Sequence, residues 1–96
     1  MVNYETMYIL KPDLDEEKKN ALVAKFSDIV AANGGEVEKV DEWGKKKLAY
    51  PINYIGEGYY VLMYFKAPAA LPAELERNFK ITDEVIRFMV INLDVQ

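Results

Sequence analysis

Three consecutive lysines, Lys45-Lys46-Lys47, form the one dense run of positive charge in a chain of 96 residues. Ammonium groups this close can neutralise phosphates of a nucleic acid and release its counterions. Lysines on an edge strand also block aggregation, so the run alone does not identify a ligand. A second set of side chains could bind by stacking or apolar contact: Tyr60, Leu62 and Tyr64 alternate with Tyr59, Val61 and Met63 in one aromatic stretch. Covalent chemistry has far less to work with. There is no cysteine and no histidine, which removes thiolate nucleophiles, disulfides, the usual zinc ligands and the commonest general base. Ser27, the only serine, lies in a helical pattern with no imidazole to activate it. Carboxylate and lysine chemistry remain. The expectation is a protein that is not an enzyme and uses no cofactor, metal or small-molecule substrate.

Charge and length narrow the class further. The net charge of −4 argues against strong solitary binding to nucleic acid, because such domains usually carry a basic balance. Ninety-six residues suit one domain over 1–96, since two cores would each bury too little surface. No apolar run approaches the roughly 18–20 residues that span a bilayer. The start, Met1-Val2-Asn3-Tyr4-Glu5, lacks the charged-then-apolar order of a signal peptide. A cytoplasmic protein with no membrane partner is expected.

The elements that must position the lysines and tyrosines follow from periodicity. Residues 2–10 are rich in β-formers and end at the turn signal Lys11-Pro12-Asp13. Asp13 and Glu16 read as a capping box opening a helix, whose apolar face is Leu22, Phe26, Ile29 and Val30. Asn33-Gly34-Gly35 is its left-handed stop. Residues 36–52 return to strand, but Val37 to Gly44 keep no single parity, which predicts a bulge or bend near Gly44. A loop from Asn53 to Gly58 leads to a strand from Tyr59 to Lys66. Pro68 and Pro72 bracket the entry to a second helix with Leu71, Leu75 and Phe79 on one face, and residues 84–93 form the last strand. This β-α-β-β-α-β order is the α+β, ferredoxin-like split βαβ: a four-stranded antiparallel sheet with two helices on one face.

Parity then assigns the faces. Tyr4, Thr6, Tyr8, Leu10, Tyr59, Val61, Met63, Phe65, Phe88 and Val90 point to the helices. Glu5, Met7, Ile9, Tyr60, Leu62, Tyr64, Arg87, Met89 and Ile91 point away. That second face is too apolar for a surface left to water, which marks it as a partner site. Tyr60, Leu62, Tyr64, Met89 and Ile91 are therefore expected to be accessible in the isolated domain.

The segment Gly44-Lys45-Lys46-Lys47-Leu48-Ala49-Tyr50-Pro51-Ile52-Asn53 resembles the signature of the bacterial-type small-subunit ribosomal protein 6 family. Tyr4-Glu5, Pro12-Asp13-Leu14, Gly58-Tyr59-Tyr60 and the run from Ile81 to Val90 fit it as well, so the resemblance covers nearly the whole chain. It implies a ferredoxin-like, non-enzymatic protein of the ribosome. Such a protein binds the central domain of small-subunit ribosomal RNA together with small-subunit ribosomal protein 18. Lys45, Lys46 and Lys47 match the family's basic run, and Arg87 matches an arginine on its last strand. Family members often carry a basic residue near the start, where this chain has Val2 and Asn3.

Other readings of the same fold compete. An RNA-recognition-type module would stack bases on sheet aromatics, but Glu57 replaces its leading basic residue. The outward positions of its signature also fall on Tyr59 and Val61, assigned here to the core. An acylphosphatase-like enzyme needs a phosphate-cradling arginine in a loop, whereas Arg77 and Arg87 fall on a helix and a strand. A regulatory domain could instead self-associate through the open face. The acidic residues Glu36, Glu38, Asp41 and Glu42 either face water or attract a basic partner.

Overall fold

The structure is a computed structural model that describes the backbone of residues 1–52 and 55–94 and the side chains of residues 1–44 and 58–94. Its elements run β1 (Val2–Leu10), α1 (Glu16–Ala32), β2 (Glu36–Ile52), β3 (Ile55–Ala67), α2 (Leu71–Lys80) and β4 (Val85–Asn92). The strands form one sheet in the order β2-β3-β1-β4, and every neighbouring pair is antiparallel. Among the described residues no helix is long and apolar enough to cross a membrane.

Both ends of α1 are closed by local chemistry, though not at the residue expected for its start. Asp15, rather than Asp13, is the N-cap: its Oδ1 accepts the backbone N–H of Lys18 at 2.8 Å. The turn after Pro12 takes up Asp13 and Leu14 before the chain reaches helical geometry, which shifts the cap by two residues. At the other end Gly34 adopts φ +83°, its N–H bonds the carbonyl of Ala31, and the N–H of Gly35 bonds that of Val30 at 2.8 Å. This pair is a Schellman stop, and it needs glycine at the left-handed position. Gly35 is glycine for another reason. A Cβ there would lie 2.7 Å from Val30 Cγ1 and 2.9 Å from the carbonyl oxygen of Lys66.

The loop expected over 53–58 is shorter, because β3 starts at Ile55 opposite Ile52. Strand pairing continues there because each further rung satisfies backbone groups that a loop would leave to water. Helix α2 carries Pro72 in its first turn and buries Leu71, Leu75 and Phe79. At the far edge, Asp94 accepts the N–H of Asn3 at 2.9 Å and its side-chain amide at 3.1 Å. These bonds hold the Asp94 carboxyl below its usual range and clip the chain just beyond β4 to β1.

The two helices pack on one face of the sheet around a ring cluster. Tyr8 lies 5.0 Å from Phe26 and 5.1 Å from Phe79 between centroids, and Phe79 lies 5.2 Å from Phe88. Tyr4, Leu10, Val61, Met63 and Phe65 complete the core beneath them. Thr6 is also fully buried there and donates its hydroxyl to the carbonyl of Met89 at 2.8 Å, so its polar atom is satisfied.

Gly35→Ala should destabilise the domain by about 2 kcal/mol, because its nearest obstructions include backbone that cannot rotate away. Gly34→Ala should cost about 1 kcal/mol, the strain of a left-handed alanine with only Pro68 Cγ nearby at 3.8 Å. Urea unfolding of both variants checks the order; equal losses would mean that the close approach at Gly35 relaxes.

Candidate functional site

The face opposite the helices is built from cross-strand rows. One runs Lys39, Tyr64, Glu5, Ile91; the next Asp41, Leu62, Met7, Met89; the third Gly44, Tyr60, Ile9, Arg87. Each row crosses all four strands, so Tyr60 and Tyr64 of β3 stand beside Ile9 and Glu5 of β1, one strand removed from the exposed stripe of β4. Met89 and Ile91 are exposed, as is Leu93 just beyond the strand. Tyr60 and Tyr64 are half-buried.

Leu62 departs from expectation. It is 5% exposed, and Ile9 on the same face is 2% exposed. Both sit on the two central strands, with a neighbouring strand on either side. Leu62 lies between Asp41 and Met7 across the strands and between Tyr60 and Tyr64 along its own, while Ile9 lies between Tyr60 and Arg87. Alternation places a side chain on a face without deciding whether its neighbours cover it. The surface on offer is therefore the β4 stripe of Arg87, Met89 and Ile91 with the partly covered rings of Tyr60 and Tyr64.

The basic residues flank this surface. Arg87 is exposed on edge strand β4 and makes no ion pair among the described residues. The lysine run lies on the opposite edge, β2, where Lys45, Lys46 and Lys47 pair through their backbones with Tyr59, Gly58 and Glu57. Their side chains lie outside the described residues. Three inter-strand steps, about 14 Å, separate the two edges.

Strand β2 reaches the lysines through two irregularities. Its pairing with β3 steps from Val37 to Lys39 and again from Glu42 to Gly44, so Glu38 and Trp43 are the inserted residues of two bulges. Gly44 closes the second with φ +83°. The bend expected near Gly44 is there, and the bulge at Glu38 accounts for the rest of the mixed parity. A side-chain link bridges the second bulge: Tyr59, opposite Lys45, donates its hydroxyl to Glu42 Oε1 at 2.8 Å. The Lys19 ammonium sits 4.5 Å from the centre of the Tyr59 ring. Desolvation, followed by the bond to Glu42 and its charge, pushes the Tyr59 phenol up to about 12. Burial pushes the phenol of fully buried Tyr8 up as well, with Glu42 adding to the effect.

These contacts decide between the competing readings of the fold. Tyr59 is engaged on the helix side, so the open-face stacking position of an RNA-recognition-type module is not filled by it. Of the acidic residues, Glu42 holds Tyr59, Asp41 pairs with Lys39 at 3.5 Å and Glu38 with Lys66 at 3.8 Å. Arg77 is bound to Glu74 within α2, and Arg87 stands on the opposite face of the sheet. Neither arginine lies in a loop that could cradle an acyl phosphate. Sequence reasoning missed the role of Glu42. The parity break between residues 37 and 44 was the only signal, and it located the bulge without its clasp.

A family model described as ribosomal protein S6 matches residues 3–92. A small ribosomal subunit protein bS6 of Clostridium novyi is 60% identical over 92 residues, covering 96% of this chain and 97% of the relative. Its counterpart in Desulforamulus reducens is 56% identical over 91 residues, with 95% and 96% covered. Among solved structures, the crystal structure of 30S ribosomal protein S6 from Thermotoga maritima superposes with a TM-score of 0.90 at 33% identity. That match covers 95% of this chain and 86% of that one.

Leu62→Asp should destabilise the domain by at least about 3 kcal/mol, because it buries a carboxylate among apolar and aromatic neighbours and beside Asp41. Met89→Asp, on an exposed position, should stay within about 0.5 kcal/mol. Chemical denaturation separates the two, and a stable Leu62→Asp would mean that its neighbours open readily. The Tyr59 phenol makes a second expectation. Its folded value of about 12 exceeds the ordinary value of 10.0, so the folded state holds this proton more tightly than the unfolded state. The resulting stability is fully present below pH 10 and lost as pH rises toward 12. Ultraviolet titration should show one phenol shifting part of the way back toward its ordinary range in Glu42→Gln; no such shift would leave desolvation as the cause.

Proposed function

The chain belongs to the ribosomal protein S6 family, whose members are structural rather than catalytic, and on that premise we propose that it works in the cytoplasm as a constituent of the small ribosomal subunit. In this reading it binds the central domain of small-subunit ribosomal RNA together with small-subunit ribosomal protein 18. The observation that carries the reading is the placement of charge around the open sheet face. An exposed apolar stripe on β4 is flanked by Arg87, and the opposite edge carries the three-lysine run. An apolar stripe rimmed by charge is the composition of a surface that a partner covers.

Charge supports two partners rather than one. A domain of net charge −4 is repelled at long range by an RNA, yet each lysine that meets a phosphate releases counterions and gains locally. A basic protein seated on the sheet would supply the missing positive charge and cover Met89 and Ile91 together. Lys45, Lys46, Lys47 and Arg87 are the proposed polar contacts; Tyr60 and Tyr64, with Leu62 as their packed support, form the proposed apolar one. Val2 and Asn3 carry no charged side chain, and Asn3 is held by Asp94.

Titrating central-domain RNA with this chain, with and without protein 18, tests the reading. Affinity should be weak for the chain alone and rise markedly with the partner. Replacing Lys45, Lys46 and Lys47 by alanine should leave the fold intact and flatten the salt dependence, by roughly 0.9 log unit per log unit of salt for each duplex phosphate that is no longer neutralised. Equal affinities with and without the partner would sink the two-partner reading. An unchanged salt slope would reduce the lysines to guards against edge pairing. A tight homodimer on sedimentation would favour self-association.

A further inference from the structure

Asparagine followed by glycine is the pair at which a peptide chain attacks itself most readily, because glycine puts no side chain in the way of its own nitrogen. Six asparagines stand in this chain, and only Asn33 precedes a glycine. The pair closes α1: Asn33 is the C-cap, and Gly34 takes the left-handed φ of +83°. Both are exposed to water. Three features of the stop oppose the reaction. The side-chain amide that would leave donates from Nδ2 to the carbonyl of Ile29 at 2.8 Å. The nitrogen that would attack donates its N–H to the carbonyl of Ala31 at 3.3 Å. Between them, Asn33 sits at ψ 23°, rotated away from the geometry in which a five-membered ring closes across the pair.

We infer that Asn33–Gly34 is a spontaneous deamidation site that the folded stop of α1 keeps dormant. When the stop opens, a solvent base takes the Gly34 N–H proton, the nitrogen attacks Cγ of Asn33, and the Cγ–Nδ2 bond breaks. Ammonia leaves with a proton from water, and a succinimide remains. Water then opens one of its two carbonyls, giving aspartate or isoaspartate, and nothing is oxidised or reduced. Neither product closes the stop as asparagine does. Aspartate puts a carboxylate where Nδ2 donated to Ile29, so two acceptors face each other. The last turn of α1 has no basic residue to offset it, and the helix end is already the negative pole. Isoaspartate carries the same charge and also lengthens the backbone by one carbon just ahead of Gly35. That glycine has no slack: a Cβ there would meet Val30 Cγ1 at 2.7 Å and the Lys66 carbonyl oxygen at 2.9 Å. The stop therefore records the time that a chain has spent open.

The full chain is aged in mildly alkaline buffer with and without concentrated urea. Peptide mapping by mass spectrometry follows the amide-to-acid conversion at Asn33, and enzymatic methylation of isoaspartate identifies that product. Conversion should be at least about tenfold faster in urea, since the native chain reacts only through openings of the stop. Gly34→Ala should slow it in urea, where the fold plays no part. The isoaspartyl chain, purified from the aged sample, should unfold at lower urea than the fresh chain, with Asn33→Asp between them. Equal rates with and without urea would overturn the protection by the stop. No conversion at Asn33 in urea would overturn the site itself. An isoaspartyl chain as stable as the fresh one would overturn the consequence for folding.

Discussion

The two-residue period of the central strands is the constraint on which everything else depends. On β1 and β3 every second side chain, from Tyr4 to Leu10 and from Tyr59 to Phe65, must enter the space under the helices. A slip of one residue would send Tyr8 and Phe65 to water and bring Glu5 into the core. The ring cluster of Tyr8, Phe26, Phe79 and Phe88 makes that slip prohibitive, because it joins both helices to the two strands β1 and β4. With the register held, the composition of the other face follows automatically. Met7, Tyr60, Tyr64, Met89 and Ile91 have nowhere else to go.

Strand β2 obeys a looser rule. It lies at the edge, paired only with β3, so it can absorb two inserted residues without disturbing the core. The second insertion changes which residues of β2 stand opposite which of β3, and Lys45 comes to lie opposite Tyr59 as a result. The Tyr59–Glu42 bond and the Lys19 contact tie this bend to β3 and α1. An edge that would otherwise be pliable carries its lysines from a defined point.

Charge is distributed to the same end. The chain is acidic overall, yet several of its carboxylates are held locally: Glu42 by Tyr59, Asp41 by Lys39, Glu38 by Lys66, Glu84 by Lys18 and Glu74 by Arg77. Exposed pairs of this kind contribute little to stability. Their consequence is electrostatic, since Lys39 and Lys66 offset the charge of Asp41 and Glu38 on β2, while Arg87 on β4 makes no ion pair among the described residues. On these terms a net charge of −4 does not by itself exclude local contact with an acidic polymer.

How much of this is legible in the sequence depends on range. Element order, the helix-side core and the apolar character of the open face all come from periodicity, which is a property of residues close in sequence. The lack of cysteine and histidine removes thiolate and imidazole chemistry from the outset, and the stretch from Gly44 to Asn53 resembles one family strongly enough to indicate a ribosomal role. The N-cap falls on Asp15 rather than Asp13 because both aspartates offer the same chemistry, and only the turn after Pro12 selects between them. Leu62 is less exposed than its parity suggests for a more general reason. Whether a residue on the open side is covered depends on the size of neighbours on adjacent strands, and Asp41 and Met7 lie 21 and 55 positions away along the chain. The Glu42–Tyr59 clasp belongs to the same class, since a bulge must first set the register before the two side chains can meet. Sequence alone determined which faces exist and what they are made of. Tertiary structure decided which of their residues remain open, because burial is fixed by neighbours that only folding brings together.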